Sequence, residues 1–347
     1  MNSEALLWNA NEIRHTPITF VLGAPRSGTT LLQSSLNAHP NIVAPPESYF
    51  ILFLYSRFGK IRRFDAHSIS KFVEALFSEH IFTKLWGLDK IQVERNLQAT
   101  GKNADFATLC KMVFCQTADD KEKISLISDK NPKHSLFAKK LLKIYPEAKF
   151  IHIIRDPRDN VNSNLHSLRK KNPLFLAQQW LGFNTHIENI KRKYSDKFFT
   201  IIYENMVVEP ESTFMSLCSF LGVPYNNSML KHQFPERLQT YENRKFYEIF
   251  KTAHQSMLKP INTSNMGKWK DGMSERERTI TEIFTATFAK SYYGYDIELN
   301  KTNAQKISSW KLLKSRVIYR VWEVFTKLRY EIYKINKVYY KKSKNAW

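Results

Sequence analysis

Two segments of this chain combine anion-binding residue types at spacings that let them act together. Gly23-Ala24-Pro25-Arg26-Ser27-Gly28-Thr29-Thr30 follows the apolar run Ile18–Leu22 and leads into Leu31-Leu32-Gln33-Ser34-Ser35-Leu36. That order predicts a strand, a glycine-bearing turn and a helix, with the loop N–H groups and the helix N-terminus converging on an anion. The two glycines keep P-loop spacing, but the P-loop lysine is missing. Thr29 stands in its place, and the cationic side chain sits earlier, at Arg26. This displacement argues against hydrolysis of ATP or GTP. In the second segment, Arg155-Asp156-Pro157-Arg158-Asp159-Asn160-Val161-Asn162-Ser163, Arg155 ends an apolar run. Asp156 suits a helix cap and Pro157 the first helical position. Ser163 falls about two turns into that helix, facing back toward the strand end. A guanidinium and a hydroxyl so placed are matched to a phosphate.

The elements that must hold these groups follow from periodicity. Ile18–Leu22 reads as a strand buried on both faces, Thr29–Ala38 as the helix after the loop, and Pro45-Pro46-Glu47 as a proline-stiffened loop. Residues 49–120 read as an inserted helical cap, with Phe72, Val73, Leu76 and Phe77 on one helix face. Further strands are expected at 125–128, 149–154 and 198–203, with helices at 135–144 and 174–194 between them. Short apolar strands alternating with helices predict an α/β fold, a P-loop-type parallel sheet flanked by helices. Ligands of such sheets bind at the carboxyl ends of the strands, where the motifs lie. Residues 1–300 are expected to form this domain.

The chain has 347 residues and a net charge of +21, which favours anionic partners: a nucleotide, nucleic acid, an acidic glycan or an anionic membrane surface. Cys110, Cys115 and Cys218 form neither a C-x-x-C pair nor a ligand set with histidines, so reduced thiols and no structural metal are expected. The first residues lack a basic stretch followed by a long apolar one, and the apolar run at 49–55 is too short to span a bilayer. A cytoplasmic protein is the expectation. The last segment, 301–347, reads as a basic amphipathic helix. Trp310, Leu313, Val317, Val321, Val324, Leu328, Ile332, Ile335 and Tyr339 recur at helical spacing between 306 and 344, among twelve basic residues and only Glu323 and Glu331. A stripe of this kind is expected to pack on the body or on a second copy, making a homodimer, and it also suits an anionic membrane interface at the inner face of a membrane.

The two anion-binding segments resemble those of sulfotransferases that use 3'-phosphoadenosine-5'-phosphosulfate (PAPS) as donor, most nearly the tyrosylprotein sulfotransferase branch and related bacterial sulfotransferases. The resemblance runs over residues 18–297. It implies that Pro25, Arg26, Ser27, Gly28, Thr29 and Thr30 hold the 5'-phosphosulfate, and that Arg155 and Ser163 bind the 3'-phosphate that distinguishes PAPS from ADP-like nucleotides. Ala24 to Leu32, continuing through Asn37-Ala38-His39-Pro40, follows that branch's loop and helix, and Glu47 falls where the branch has its catalytic base. Ser128-Asp129-Lys130-Asn131-Pro132 is similar to its lysine-bearing strand end. Tyr203-Glu204, and Lys259-Pro260-Ile261-Asn262 with Lys268-Trp269, resemble its nucleotide-facing tyrosine and its closing segment. Gly267 occupies the position of a functional serine in that branch.

The implied reaction is in-line transfer of a sulfuryl group to an acceptor hydroxyl, leaving 3'-phosphoadenosine-5'-phosphate (PAP), with catalysis by positioning and charge stabilisation and with no metal. Arg26 and Lys130 would offset developing charge while Glu47 takes the acceptor proton. His39 is the next candidate base, though a helix-end cap is its plainer role; His134 and His152 are weaker, and His152 reads as core. Trp180 and Trp269 are candidates to stack on adenine. The acceptor is expected to be a carbohydrate, lipid or small-molecule hydroxyl, with protein tyrosine as the alternative, and its specificity is expected to reside in 49–120 and 233–257. Other classes stay open: a P-loop kinase or nucleotide switch, and a non-catalytic binder of glycans. Nucleic acid is not the expected partner.

Overall fold

Ile18–Leu22 is apolar at nearly every position and all five side chains are buried, as a strand covered on both faces requires. It is the central strand, β1, of a computed structural model that describes residues 9–118, 123–167, 172–231 and 260–332. α1 (Ala10–His15) precedes it; α2 (Thr29–Ala38) and β2 (Ile42–Val43) follow. Between β2 and the next strand lie α3 (Phe50–Phe58), α4 (Ala66–Leu76), α5 (His80–Leu85), α6 (Lys90–Thr100) and α7 (Phe106–Cys115), the segment expected to be a helical cap. Asp65, Asp89 and Asp105 cap the starts of α4, α6 and α7, each accepting a bond from a first-turn N–H. Phe50 packs edge-on against Phe82 and Trp86 at 5.8 and 5.6 Å, so this segment shares one aromatic core with the sheet.

β3 (Leu126–Lys130), a 3-10 turn (Pro132–Leu136), α8 (Ala138–Ile144), β4 (Lys149–Ile154), α9 (Pro157–Ser167), α10 (Pro173–Lys191) and β5 (Phe198–Ile202) continue the alternation. The strand order is β2-β3-β1-β4-β5, all parallel. Val21 lies opposite Lys130 and Leu22 opposite His152, so the carboxyl ends of the strands are nearly level. That register delivers the loop after β1, the end of β3 and the turn after β4 to one edge. Some boundaries depart from expectation. β3 reaches Lys130 because the polar pair Asp129-Lys130 continues the ladder opposite Phe20 and Val21, and the helix expected at 135–144 is split between a 3-10 turn and α8. Tyr203 opens α11 (Tyr203–Val208), ahead of α12 (Pro210–Leu221).

After residue 260 come α13 (Trp269–Gly272), α14 (Glu275–Tyr293), α15 (Lys301–Gln305) and α16 (Ser309–Glu331). α16 corrects the expectation for the C-terminal stripe. The helix begins at Ser309 rather than 306, and it packs against α10 and α3 with the opposite face. Ser315, Tyr319, Glu323, Thr326, Arg329 and Tyr330 are buried, whereas Trp310, Leu313, Val317, Val321, Val324, Leu328 and Ile332 are exposed. Ile335 and Tyr339 lie outside the described residues. The inner face is read poorly by hydrophobicity because its polar atoms find partners. Glu323 accepts from His186 at 2.7 Å and from Lys327 at 2.6 Å. Gly182 of α10 gives the close approach: a Cβ there would sit 2.1 Å from the Tyr319 hydroxyl. Trp322 lies on Phe183 and Phe175, and Tyr330 on Phe137 and Tyr49.

Candidate active site

At the carboxyl edge of the sheet is a cavity of about 950 Å³. Pro25, Arg26, Gly28, Thr29 and Thr30 of the loop line it, with Glu47, Lys130, Arg155, Ser163, Tyr203 and Lys268. Residues up to 243 positions apart in sequence, Pro25 and Lys268, thus meet at one wall. Gly28 caps α2 in the left-handed conformation (φ 93°), and a Cβ there would strike the Tyr203 ring at 2.4 Å, so both φ and space demand glycine. Arg26 is also left-handed, with φ 70°. An arginine in that region is strained, and such strain persists where surroundings hold it, commonly at binding sites.

Two clusters occupy the wall. In the first, the Lys130 Nζ donates to Glu47 Oε2 at 2.9 Å and lies 3.4 Å from Thr30 Oγ1. The lysine side chain is 4% exposed and the glutamate 32%, so the carboxylate is the member that reaches the open cavity. Asn131 Nδ2 donates to the Ser48 carbonyl at 2.7 Å and fixes the Glu47 loop to the end of β3. Behind the lysine, burial pushes the Asp129 carboxyl up to about 8 despite the Lys130 charge. Burial likewise pushes His134, 3.4 Å from Asp129, down to about 3. His134 is therefore a neutral core group; His39, which accepts from the Asn41 N–H and bonds the Pro224 carbonyl, and His152, which bonds Asn184, are buried groups held by other partners away from the cavity lining.

In the second cluster, Arg26 Nε donates to Ser163 Oγ at 3.1 Å and Arg155 Nη1 to the Arg26 carbonyl at 3.2 Å. Burial and the neighbouring Arg155 charge lower the Arg26 pKa. Among the described residues no carboxylate pairs with Arg26; the Arg155 Nη2 lies 4.0 Å from Asp159 Oδ2, while its Nε has no hydrogen-bond partner. Two guanidiniums held together this way form an anion site, because each strengthens the pull on a shared negative charge. Arg155 also lies 4.7 Å over the Tyr203 ring. Asp156 caps α9 through the Arg158 N–H and Pro157 opens it, as the sequence implies.

Three expected site residues stand differently. The Ser27 hydroxyl is fully buried and accepts from Asn160 Nδ2 at 3.0 Å, so it braces the loop rather than lining the cavity. The Trp269 ring stacks under the Arg158 guanidinium at 4.0 Å, away from the cavity lining. Trp180 is buried and donates Nε1–H to the Arg155 carbonyl at 3.1 Å, which makes it core packing that orients Arg155. Lys259 lies outside the described residues. Sequence reasoning missed Asp159, which accepts from the Gly267 N–H at 2.7 Å and the Trp269 N–H at 3.0 Å and so ties the closing segment to α9. It also missed Asn160 and Asn164, which hold the Pro25 carbonyl, and Ser135, which accepts from the Gly23 N–H. The signal available was the 155, 159, 163 spacing, one face of a helix whose polar side chains follow an apolar strand.

A model described as "Sulfotransferase family" matches residues 17–227. The chain is 24% identical over 310 residues to the protein-tyrosine sulfotransferase of Drosophila melanogaster, an alignment covering 86% of this chain and 55% of that protein. It is 25% identical over 308 residues to protein-tyrosine sulfotransferase 1 of Danio rerio, covering 83% and 74%. The chain thus spans about half the length of the fly relative. Among solved structures, the sulfotransferase domain of the Synechococcus PCC 7002 olefin synthase superimposes with a TM-score of 0.53 at 24% identity, covering 81% of this chain and 96% of that domain. The sulfotransferase domain of the curacin biosynthetic pathway gives 0.51 at 20%, covering 79% and 97%. These two likenesses bear on the fold.

Proposed function

Because the chain belongs to the Sulfotransferase family, we propose that it moves a sulfuryl group from PAPS to an acceptor hydroxyl by in-line transfer, with Glu47 as general base. The observation that carries the proposal is the division of one cavity wall into a carboxylate–ammonium pair, Glu47 with Lys130 at 2.9 Å, and an arginine–serine cluster, Arg26 with Ser163 at 3.1 Å, in which Arg26 has no carboxylate partner among the described residues. The second cluster fits a nucleotide with a phosphate beyond its 5'-chain. When bound, PAPS supplies the activated sulfuryl group and a phosphate leaving group.

The chain's own residues do the rest. Arg155 and Ser163 grip the 3'-phosphate, and the loop N–H groups with Thr29 and Thr30 hold the 5'-phosphate at the start of α2. Lys130, buried and aimed by Glu47 and Thr30, stabilises charge on the bridging oxygen; Arg26 offsets charge on the sulfuryl oxygens. Glu47, the more exposed partner, takes the acceptor's hydroxyl proton. Lys268, anchored by Asn265 Oδ1 at 2.8 Å, closes the nucleotide side.

The acceptor we favour is a carbohydrate, lipid or small-molecule hydroxyl; protein tyrosine is the second reading, supported by the names of the fly and zebrafish relatives. The deciding experiment offers labelled PAPS with both acceptor classes and detects sulfated product by mass. Product on an aliphatic hydroxyl with none on tyrosine peptides supports the first reading, and the reverse supports the second. Phosphoryl transfer from ATP without sulfuryl transfer would overturn both.

A further inference from the structure

We infer that the outward face of α16 docks in the plane of an anionic lipid surface. Trp310, Leu313, Val317, Val321, Val324 and Leu328 recur along this face, each between 51% and 70% exposed. Side chains three and four apart form one stripe, and this stripe lies diametrically opposite Tyr319, Glu323, Thr326 and Tyr330, which hold the helix to the body. A helix docked by one face normally turns polar residues to solvent on the other. α16 instead spends its second face on tryptophan, leucine, valine and phenylalanine, and a continuous patch of this kind marks an interaction surface.

Charge selects the occupant. Lys311 and Lys314 flank the stripe on one side, and Arg316, Arg320 and Lys327 on the other. Both carboxylates of the helix are already engaged. Glu323 is turned into the body beneath His186, Arg320 and Lys327, and Glu331 pairs with Lys140 at 2.8 Å. The face therefore offers apolar side chains and cations with no free negative charge. A second copy brought against it would set lysine and arginine against lysine and arginine, and the sequence beyond residue 332 adds five lysines and no acidic residue. Anionic headgroups complement the cations while the acyl boundary takes the stripe, which is the pattern of an interfacial helix. Insertion is lateral, since among the described residues no helix is long and apolar enough to cross a bilayer.

The test is sedimentation of the full chain with vesicles of phosphatidylcholine alone and of phosphatidylcholine with phosphatidylglycerol at about three to one. We expect sedimentation with the mixed vesicles only, reversed by salt. Val321→Asp with Phe325→Asp, both at exposed positions, is expected to lower the bound fraction about ten-fold or more while leaving melting temperature and PAP binding unchanged. Lys311→Glu with Lys314→Glu reads the electrostatic part separately, and is decisive should the first pair unfold the protein. Failure of the wild type to sediment, or undiminished sedimentation of folded variants, overturns the inference. So does a wild-type dimer in solution that Val321→Asp with Phe325→Asp converts to monomer, since a second copy would then own the face.

Discussion

The Glu47 carboxylate reaches the cavity while its lysine partner is buried, and that asymmetry separates their roles. A general base contributes about 10² to 10⁴ in rate. Glu47→Gln is therefore expected to lower kcat by that factor while calorimetry finds PAP affinity little changed; full activity would move the base elsewhere. Lys130→Ala is expected to act mainly on kcat, and Arg26→Ala on both kcat and donor affinity, because Arg26 touches Ser163 of the proposed phosphate cluster. At the other end of the wall, charge-assisted hydrogen bonds contribute about 1.5 to 3 kcal/mol each. PAP is expected to bind at least about ten-fold tighter than ADP, and Arg155→Ala to erase that preference. Equal affinities in the unmodified protein would remove the assignment of a 3'-phosphate site. That Arg155 and Ser163 face one site was legible from their spacing, and both line the cavity. Asp159 lies on the same helix face, but its role was not legible, because the two backbone N–H groups it accepts come from a segment at least 108 residues away.

β3 carries a polar pair into the centre of the sheet, and the pH dependence of stability should show it. The folded chain keeps the Asp129 carboxyl protonated up to about pH 8 because burial penalises its charged form, whereas an unfolded aspartate ionises near pH 4, about its reference value. Between those limits the native state binds the extra proton, so this group's contribution to stability falls as pH rises. Asp129→Asn cannot ionise and is expected to flatten the decline in urea-unfolding stability between about pH 5 and pH 8. An unchanged slope would assign the decline to other groups, Glu79 foremost, whose carboxyl burial also pushes up, to about 7. Strands β1 and β4 were read correctly from sequence because nearly every residue in them is apolar, their few polar side chains, Thr19, Lys149 and His152, being isolated among apolar neighbours. β3 was cut short at Ser128 because Asp129 and Lys130 look like a loop until Glu47, 83 residues earlier, supplies the lysine's counter-charge.

Over the whole molecule, α16 joins the C-terminal segment to the wall of the active site. Tyr330 is fully buried, with Phe137 at 5.2 Å and Tyr49, two residues past Glu47, at 5.9 Å. Removing a buried aromatic ring costs about 3 to 5 kcal/mol. Tyr330→Ala is expected to lower the melting temperature by several degrees and to reduce kcat as the Glu47 loop loosens; loss of stability without loss of turnover would show the loop to be held by Asn131 alone. Gly182→Ala should likewise lower the melting temperature, since its Cβ and the Tyr319 ring cannot occupy the same space.

Local order of residues was enough to determine the parallel α/β sheet, the loop that replaces the P-loop lysine with Arg26, and the helix start that puts Arg155 and Ser163 at the same cavity, because each depends on neighbours a few positions away. Periodicity also revealed that α16 has an apolar stripe. Which way that stripe faces was decided only by tertiary structure: the small Gly182, the ion pairs around Glu323 and the ring contacts of Tyr319, Trp322 and Tyr330 give the more polar face the better fit to the body. The same holds for the carboxylate–lysine pair and for the tie through Asp159. Their partners come from distant strands and helices, and only the shared carboxyl edge of the sheet sets them within hydrogen-bonding distance.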